Sequence, residues 1–261
     1  MTDPSPSDLI IETPENGVCL IRLNRPEKRN ALATPLLKAV AEALDAADAD
    51  EGIRCIVLTG GDKIFAAGAD IYEMAPKGAP EGLADLRPAL WGRMRAVAKP
   101  VVAAVEGWCL GAGNELLMCC DIAVASTEAK FGQPETNLGI IPGAGGGATL
   151  ARLVGRARAM KMVLTGEPIT AEDALAYGLI AELCAPGEAL DRALALGIKI
   201  AARAPLAMRQ AKAVMNAGFD MHHSAHLAFE RQAFSLLFST DDKKEGVDAF
   251  LEKRKPEWRG R

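Results

Sequence analysis

The α/β reading of this chain rests on KPVVAAVEGWCLGAGNELLMCCDIAVA, residues 99–125. It opens on KPVVAAVEG, an apolar run bounded by turn residues, which predicts a buried strand. A glycine-rich turn, GWCLGAGNELL, then runs into an apolar helical stretch that begins near Gly113, and DIAVAS supplies a further strand. Upstream, RCIVLTG predicts another buried strand. LADLRPALWGRMRAVA predicts a helical segment between RCIVLTG and KPVVAAVEG, with Pro88 at one of its bends or starts. Strands that alternate with helices argue for βαβ units and a mostly parallel sheet.

Outward from this core, LIIET and GVCLIRL are short β-rich runs separated by Pro14, Glu15, Asn16 and Gly17, the pattern of a hairpin. NRPEKRNAL leads to Thr34-Pro35, read as an N-cap followed by proline at the first helical position, and LLKAVAEALDAADAD has helical periodicity. From about residue 187 the pattern changes to successive helical candidates with no strand between them: GEALDRALALGIKIAARA, PLAMRQAKAVMNAGF, HLAFERQAFSLLFS and DDKKEGVDAFLEKR. The expected organisation is a disordered leader over residues 1–7, a core over 8–195 and a helical C-terminal region over 196–261.

Composition narrows the function classes. With 49% hydrophobic and 25% charged residues in 261, the chain has the make-up of an ordinary soluble globular protein. A net charge of −4 gives no general polyanion-binding surface, and no apolar run approaches the ~20 residues that span a bilayer. The N-terminus, MTDPSPSDLI, has no basic or apolar targeting region. Cys19, Cys55, Cys109, Cys119, Cys120 and Cys184 show no CxxC pairing and lie mostly in apolar segments. They read as buried free thiols of a reducing compartment, so the expected location is the cytoplasm.

Three segments can carry chemistry. In FAAGADIYEM (65–74), small residues after a strand let the backbone approach a ligand, and exposed amides there suit an anion or a polarised carbonyl; such turns also occur simply as turns. In GWCLGAGNELL, free amides at a helix start favour developing negative charge. This segment lacks both G-x-G-x-x-G spacing and a following GK[ST], which points to an oxyanion site for an uncharged carbonyl rather than a phosphate cradle. The third feature is a pair of glutamates. Glu115 opens the run LLMCC and Glu135 sits between a proline and a glycine-rich segment. Each has a plain structural reading, a first-turn helix glutamate and a solvated loop carboxylate. Together, at separate glycine-bounded sites near a candidate oxyanion site, they favour a joint general acid/base reading. His222, His223 and His226 in HHSAH show i,i+4 spacing without the glutamate of HExxH or a third ligand, and read as helix-surface or packing residues. No GxSxG elbow is present.

The chain closely resembles the enoyl-CoA hydratase/isomerase (crotonase) family. The motifs that carry the resemblance are LNRPEKRNAL, FAAGADIYEM, the opening stretch, AKFGQPETNLGIIPGAGG, MVLTGEPITAEDALAYGLI and FLEKRKPEW. Within it, AGADIYEM with LRPALW and LGAGNEL looks most like the bacterial hydratases of phenylacetate degradation that act on 2,3-dehydroadipyl-CoA. The resemblance implies a crotonase-like spiral of βαβ units with a C-terminal helical region that drives trimers, often paired into hexamers. It also implies an acyl-CoA substrate with its thioester in an oxyanion hole formed by the backbone N–H groups of Ala69 and Ala112. Glu115 and Glu135 match the family's catalytic glutamates, Glu115 chiefly activating water and Glu135 supplying the C2 proton. Ala67, Gly68, Asp70 and Ile71 fall in the substrate-binding segment. Phe250 matches a residue near the acyl pocket, and Lys253 one that reaches a CoA phosphate from a neighbouring subunit; Lys253 also reads as a solvated charge. Asn114 stands where cysteine or phenylalanine is frequent.

The expected activity is therefore syn addition of water across the 2,3 double bond of an enoyl-CoA, with no metal and no cofactor beyond the coenzyme A of the substrate. An isomerase or carnitinyl-CoA dehydratase using the same pair is the enzymatic rival. Binding of AU-rich RNA is a rival of another class, disfavoured by the acidic LKAVAEALDAADAD and because the clustered bases, KRKPEWRGR, are few and terminal, and no nucleic-acid or membrane partner is expected. Arg87 in LRPALW could meet a terminal carboxylate of the acyl group, but reads more simply as a helix-surface residue.

Overall fold

The computed structural model describes residues 8–13 and 16–261. The expected leader, 1–7, and Pro14 and Glu15 of the expected hairpin turn lie outside the described residues. β1 (Leu9–Glu12) and β2 (Val18–Leu23) pair antiparallel, as the hairpin reading requires. α1 (Thr34–Ala49) follows. The chain then visits two sheets alternately. β3 (Cys55–Thr59), β5 (Val101–Val105) and β7 (Ile122–Ser126) enter one, and each is followed within a few residues by β4 (Ile64–Ala66), β6 (Trp108–Leu110) or β8 (Lys130–Gly132) of the other. β9 (Ile169–Thr170) and β10 (Glu182–Cys184) complete them. The larger sheet runs β1-β2-β3-β5-β7-β10, parallel from β2 onward, and the smaller runs β4-β6-β8-β9, parallel except at β8-β9. This double visit, repeated turn on turn, is the expected spiral.

The helices between these strands are α2 (Ile71–Met74), α3 (Ala79–Leu83), α4 (Arg87–Arg95), α5 (Ala112–Leu117), α6 (Ala148–Val154), α7 (Arg156–Thr165) and α8 (Ala171–Tyr177). α9 (Ala189–Ala201), α10 (Pro205–Ala217), α11 (His223–Leu237) and α12 (Asp241–Leu251) form the strand-free end.

The period-2 alternation of the strands sorts their side chains into two cores. Ile21, Leu23, Ile56, Leu58, Ala103 and Val105 face inward with Leu37, Val40 and Leu44 of α1 and with Phe65 and Phe131 of the smaller sheet. Val18, Leu20, Val57, Val102, Ala104 and Val124 face the other way, beneath Ala189, Ala193 and Ala201 of α9. Small residues on that helix face allow a close approach, and a Cβ at Gly197 would stand 3.2 Å from Val57 Cγ2. The division expected between residues 195 and 196 falls inside α9. Beyond it, α10–α12 bury few side chains. Lys212 of α10 ties them to the sheet through a 2.7 Å ion pair with Asp121 and a 2.9 Å bond to the Lys99 carbonyl. The tail returns as well, with Trp258 Nε1 donating to the Ala202 carbonyl at 2.8 Å.

One cap differs from the sequence reading. Ala33, not Thr34, is the N-cap of α1, and Pro35 is its second residue. The Thr34 N–H donates to Glu73 Oε2 at 2.6 Å and its hydroxyl to Glu73 Oε1. A full carboxylate delivered by α2 answers the positive end of α1 better than a neutral hydroxyl does, which frees Thr34 to enter the helix.

Candidate active site

Two loops at the ends of β4 and β6 build the site. After β4, Ala67 donates to the Arg29 carbonyl at 3.1 Å and Leu32 donates to Gly68 at 2.8 Å, which holds 67–69 as a further strip alongside residue 32. After β6, Gly111 adopts φ 53 and ψ −125, a conformation that side chains other than hydrogen disfavour. It turns the chain into α5, whose first residue is Ala112. The loops touch because glycines face them: a Cβ at Gly113 would lie 2.3 Å from the Ala66 carbonyl, and one at Gly111 would lie 3.6 Å from Gly68 Cα. Ala69 and Ala112 thus line one cavity. The N–H of Ala112 opens a helix, where no carbonyl one turn back can accept it. Among the described residues no backbone carbonyl accepts the Ala69 N–H either.

The cavity has a volume of about 570 Å³, and Glu115 and Glu135 both line it. Glu115, on α5, is only 3% exposed, and its Oε1 accepts from the Ala144 N–H at 2.6 Å and the Gly146 N–H at 2.8 Å. Two such donors satisfy the buried oxygen and fix its position. The glycine-rich segment after Pro142 is therefore folded around Glu115. Glu135, in the single helical turn Glu135–Leu138, is in the opposite situation. Burial raises its pKa, its own backbone N–H opposes the rise, and the charge of Glu115 adds to it, leaving it at about 7. Two carboxyls that face one cavity from such different surroundings have the arrangement that acid/base chemistry requires.

Gln133 extends this pair. It is fully buried, and with its amide nitrogen turned toward Glu135, the orientation that satisfies both groups, it donates to both carboxylate oxygens at 3.1 Å. Nothing in the sequence reading singled it out, although it lies two residues before Glu135 in GQPE. Lys77, Asp85, Arg87 and Trp91 also line the cavity. The first two gave no motif. Arg87, read as a helix-surface residue, stands instead at the cavity wall.

Ala67, Gly68, Ala69, Ile71, Ala112, Glu115 and Glu135 are brought together as the sequence grouped them. Asp70 is not on the wall. Its side chain caps α2 by accepting from Tyr72 N–H at 3.1 Å and lies 4.0 Å from Arg25. Phe250, 82% exposed on α12, and Lys253 just beyond it belong to the C-terminal helices and do not line the cavity within one chain. His226 has a packing role: Nε2 lies 2.7 Å from the Val214 carbonyl. Among the described residues no cluster of three or more His, Cys, Asp or Glu could hold a metal ion, and no helix is long and apolar enough to cross a membrane. All six cysteines are free, and burial raises each thiol.

Comparison with known proteins gives consistent matches. The model of the enoyl-CoA hydratase/isomerase family matches residues 13–261. The chain is 47% identical to 2,3-dehydroadipyl-CoA hydratase of Escherichia coli, over 98% of this chain and 100% of that one. It is 43% identical to the mitochondrial enoyl-CoA hydratase of Pongo abelii, over 92% of this chain and 83% of that one. The crystal structure of enoyl-CoA hydratase from Bacillus anthracis superimposes with a TM-score of 0.93 at 34% identity, covering 97% of this chain and 100% of that one.

Proposed function

This chain belongs to the enoyl-CoA hydratase/isomerase family and is an enoyl-CoA hydratase, and we propose that Glu115 and Glu135 perform the hydration while the amides of Ala69 and Ala112 hold the thioester oxygen. The observation that carries this reading is a single cavity lined by two free-standing amides and two carboxyls in contrasting surroundings.

The chemistry follows from that arrangement. Hydrogen bonds from both amides draw electron density toward the thioester oxygen, which makes C3 electrophilic and stabilises the enolate-like charge that develops at C2. Each donor is worth roughly 3 kcal/mol in the transition state. Glu115, held in place by the Ala144 and Gly146 N–H groups, accepts a proton from water as the water oxygen bonds to C3. Glu135, protonated in a large fraction of molecules near neutral pH, gives a proton to C2. The 2,3 double bond is consumed, one water is incorporated, and the product is a 3-hydroxyacyl-CoA. The proton taken by Glu115 returns to Glu135 through solvent after release. No cofactor beyond the coenzyme A of the substrate enters this scheme.

Around this site we place a homotrimer, alone or paired into a hexamer, working in the cytoplasm in phenylacetate breakdown. The oligomer is supported by the apolar surface of α11 and α12, where Phe234 is 50%, Phe238 55% and Leu251 71% exposed. In such an assembly Phe250 of one protomer approaches the acyl pocket of its neighbour, and Lys253 approaches the CoA phosphates.

The direct test follows the enoyl-thioester absorbance of crotonyl-CoA for the wild type, Glu115→Gln and Glu135→Gln. Hydration by the wild type with losses of orders of magnitude in both variants supports the paired-carboxylate mechanism. Variants that match the wild type overturn it, and a shift of the double bond without water uptake makes the protein an isomerase.

A further inference from the structure

We propose that Arg95 is a positioning residue for hydration: from the end of α4 its guanidinium fixes the loop that holds Glu115, and so sets the aim of the carboxylate that takes the proton from water. The proposal rests on the hydratase reading above and adds to it a residue that stands outside the cavity wall.

Glu115 depends on that loop. Its Oε1 accepts from the N–H groups of Ala144 and Gly146, at 2.6 and 2.8 Å. Both donors lie in GIIPGAGGG, residues 139–147, a stretch with five glycines in nine and no helix or strand. Such a stretch has many backbone conformations of similar energy, and Gly145 holds one, at φ 120, that favours glycine. Contacts with the rest of the fold must therefore impose its shape. The Thr149 N–H donates to the Gly145 carbonyl at 2.7 Å, and Gly146 backs onto Gln133, where a Cβ would meet the amide group at 2.6 Å. The Ala144 carbonyl is held from the other side. Among the described residues no backbone N–H donates to it, and Arg95 Nη2 does. A Cβ at Gly145 would stand 3.1 Å from the same nitrogen, so the guanidinium lies over two successive residues of the loop. Ala144 is thus gripped at both its polar groups, the N–H by Glu115 and the carbonyl by Arg95, which restrains both of its backbone dihedrals.

A basic residue in the last turn of a helix also has an ordinary role, as a partner of the helix dipole. Arg93 fits that role, and pairs with Asp45 of α1 at 2.6 Å. Arg95 enters no ion pair among the described residues and reaches instead to a carbonyl 49 positions along the chain. Its helix is anchored, since Leu90, Trp91 and Met94 of α4 belong to the main core. The loop that carries the two donors is therefore tied to the core through one exposed side chain. Losing that tie should loosen the loop rather than unfold the chain. The cost falls on chemistry: a general base must stay within hydrogen-bond reach of its water, and a misplacement of about 1 Å can cost about 100-fold in rate.

The test measures kcat and KM for crotonyl-CoA in the full-length wild type, Arg95→Met and Arg95→Lys, and in Glu115→Gln with and without Arg95→Met. Arg95→Met keeps the stem and loses the donors; kcat should fall roughly 10- to 100-fold while KM stays within a few-fold. Arg95→Lys, which keeps a charged donor, should recover part of that loss. In Glu115→Gln there is no carboxylate left to aim, so adding Arg95→Met should change the residual rate by less than about threefold, whereas a purely structural effect would carry over in full. An unchanged kcat in Arg95→Met, a loss confined to KM, an Arg95→Lys no better than Arg95→Met, or the same fold-loss with and without the Glu115 carboxylate would overturn the proposal while leaving the hydratase reading in place. A wild type that does not hydrate crotonyl-CoA overturns both.

Discussion

Replacing Glu135 with glutamine tests the electrostatics of the site without reference to any substrate. The carboxyl sits at about 7 in the folded protein against an ordinary value of 4.5. Between these values the folded chain holds a proton that the unfolded chain has released, so unfolding free energy falls as pH rises through this window and levels off above it. The separation of the two values, at about 1.36 kcal/mol per pH unit, sets a ceiling of about 3.4 kcal/mol on the loss. Glu135 is only half-buried, and solvent screening reduces the expected figure to about 1–2 kcal/mol. In Glu135→Gln the side chain is neutral at every pH and escapes the loss. Denaturant unfolding of both proteins, at one protomer concentration because assembly shifts apparent stability, should show the variant gaining about 1–2 kcal/mol on the wild type between about pH 5 and pH 8. Groups remote from Glu135 titrate alike in the two chains and cancel. Parallel stability curves would refute the reasoning, since they would mean that folding does not perturb this carboxyl. The same group predicts an alkaline fall in kcat/KM near pH 7 for the wild type, as the proton needed at C2 is lost. In Glu115→Gln the group should ionise at lower pH, because the Glu115 charge contributes to the rise.

Gln133→Leu removes the donors that favour ionised Glu135, so the alkaline limb of the pH–rate profile should move up by roughly one pH unit; an unmoved limb would show that the amide does not act on the carboxyl. Gly111→Ala places a methyl 2.9 Å from Glu135 Oε1 at a residue with φ 53. It should lower stability by roughly 1–2 kcal/mol and kcat by at least about tenfold, measured by denaturation and by initial rates. Lys212→Met strips the ion partner from Asp121, a group whose pKa burial already raises, and should reduce unfolding free energy by about 3 kcal/mol. Adding Asp121→Asn should return part of that loss, and a double variant no better than the single one would assign the effect to packing of the lysine stem.

How far the chain could be read in advance depended on how local each signal was. CIVLT and VVAAV are buried along their whole length, and their apolar runs announced them; the four C-terminal helices follow from periodicity in the same way. β4, β6, β8 and β9 are two or three residues long, too short for any period to register, so the second sheet emerged only when the chain was folded. The cap of α1 was misplaced because its carboxylate, Glu73, arrives from another element 39 residues away.

By itself the sequence determined that this is an α/β chain with a helical end, that its glycine-bounded turns at 67–69 and 111–113 expose amides, and that two glutamates stand near them. Those facts are carried by neighbouring residues and by hydrophobic period, which act before any long-range contact forms. Tertiary structure gave the two glutamates their different surroundings. Glu115 is fixed because N–H groups from residues 144 and 146 close on it, and the pKa of Glu135 is raised by burial and by the Glu115 charge. It also separated Lys77 from Arg87, alike as cations in the sequence, by giving partners to one and leaving the other at the cavity wall. Solvation and charge pairing depend on which atoms meet across the fold, and distances between remote residues exist only once the spiral has closed.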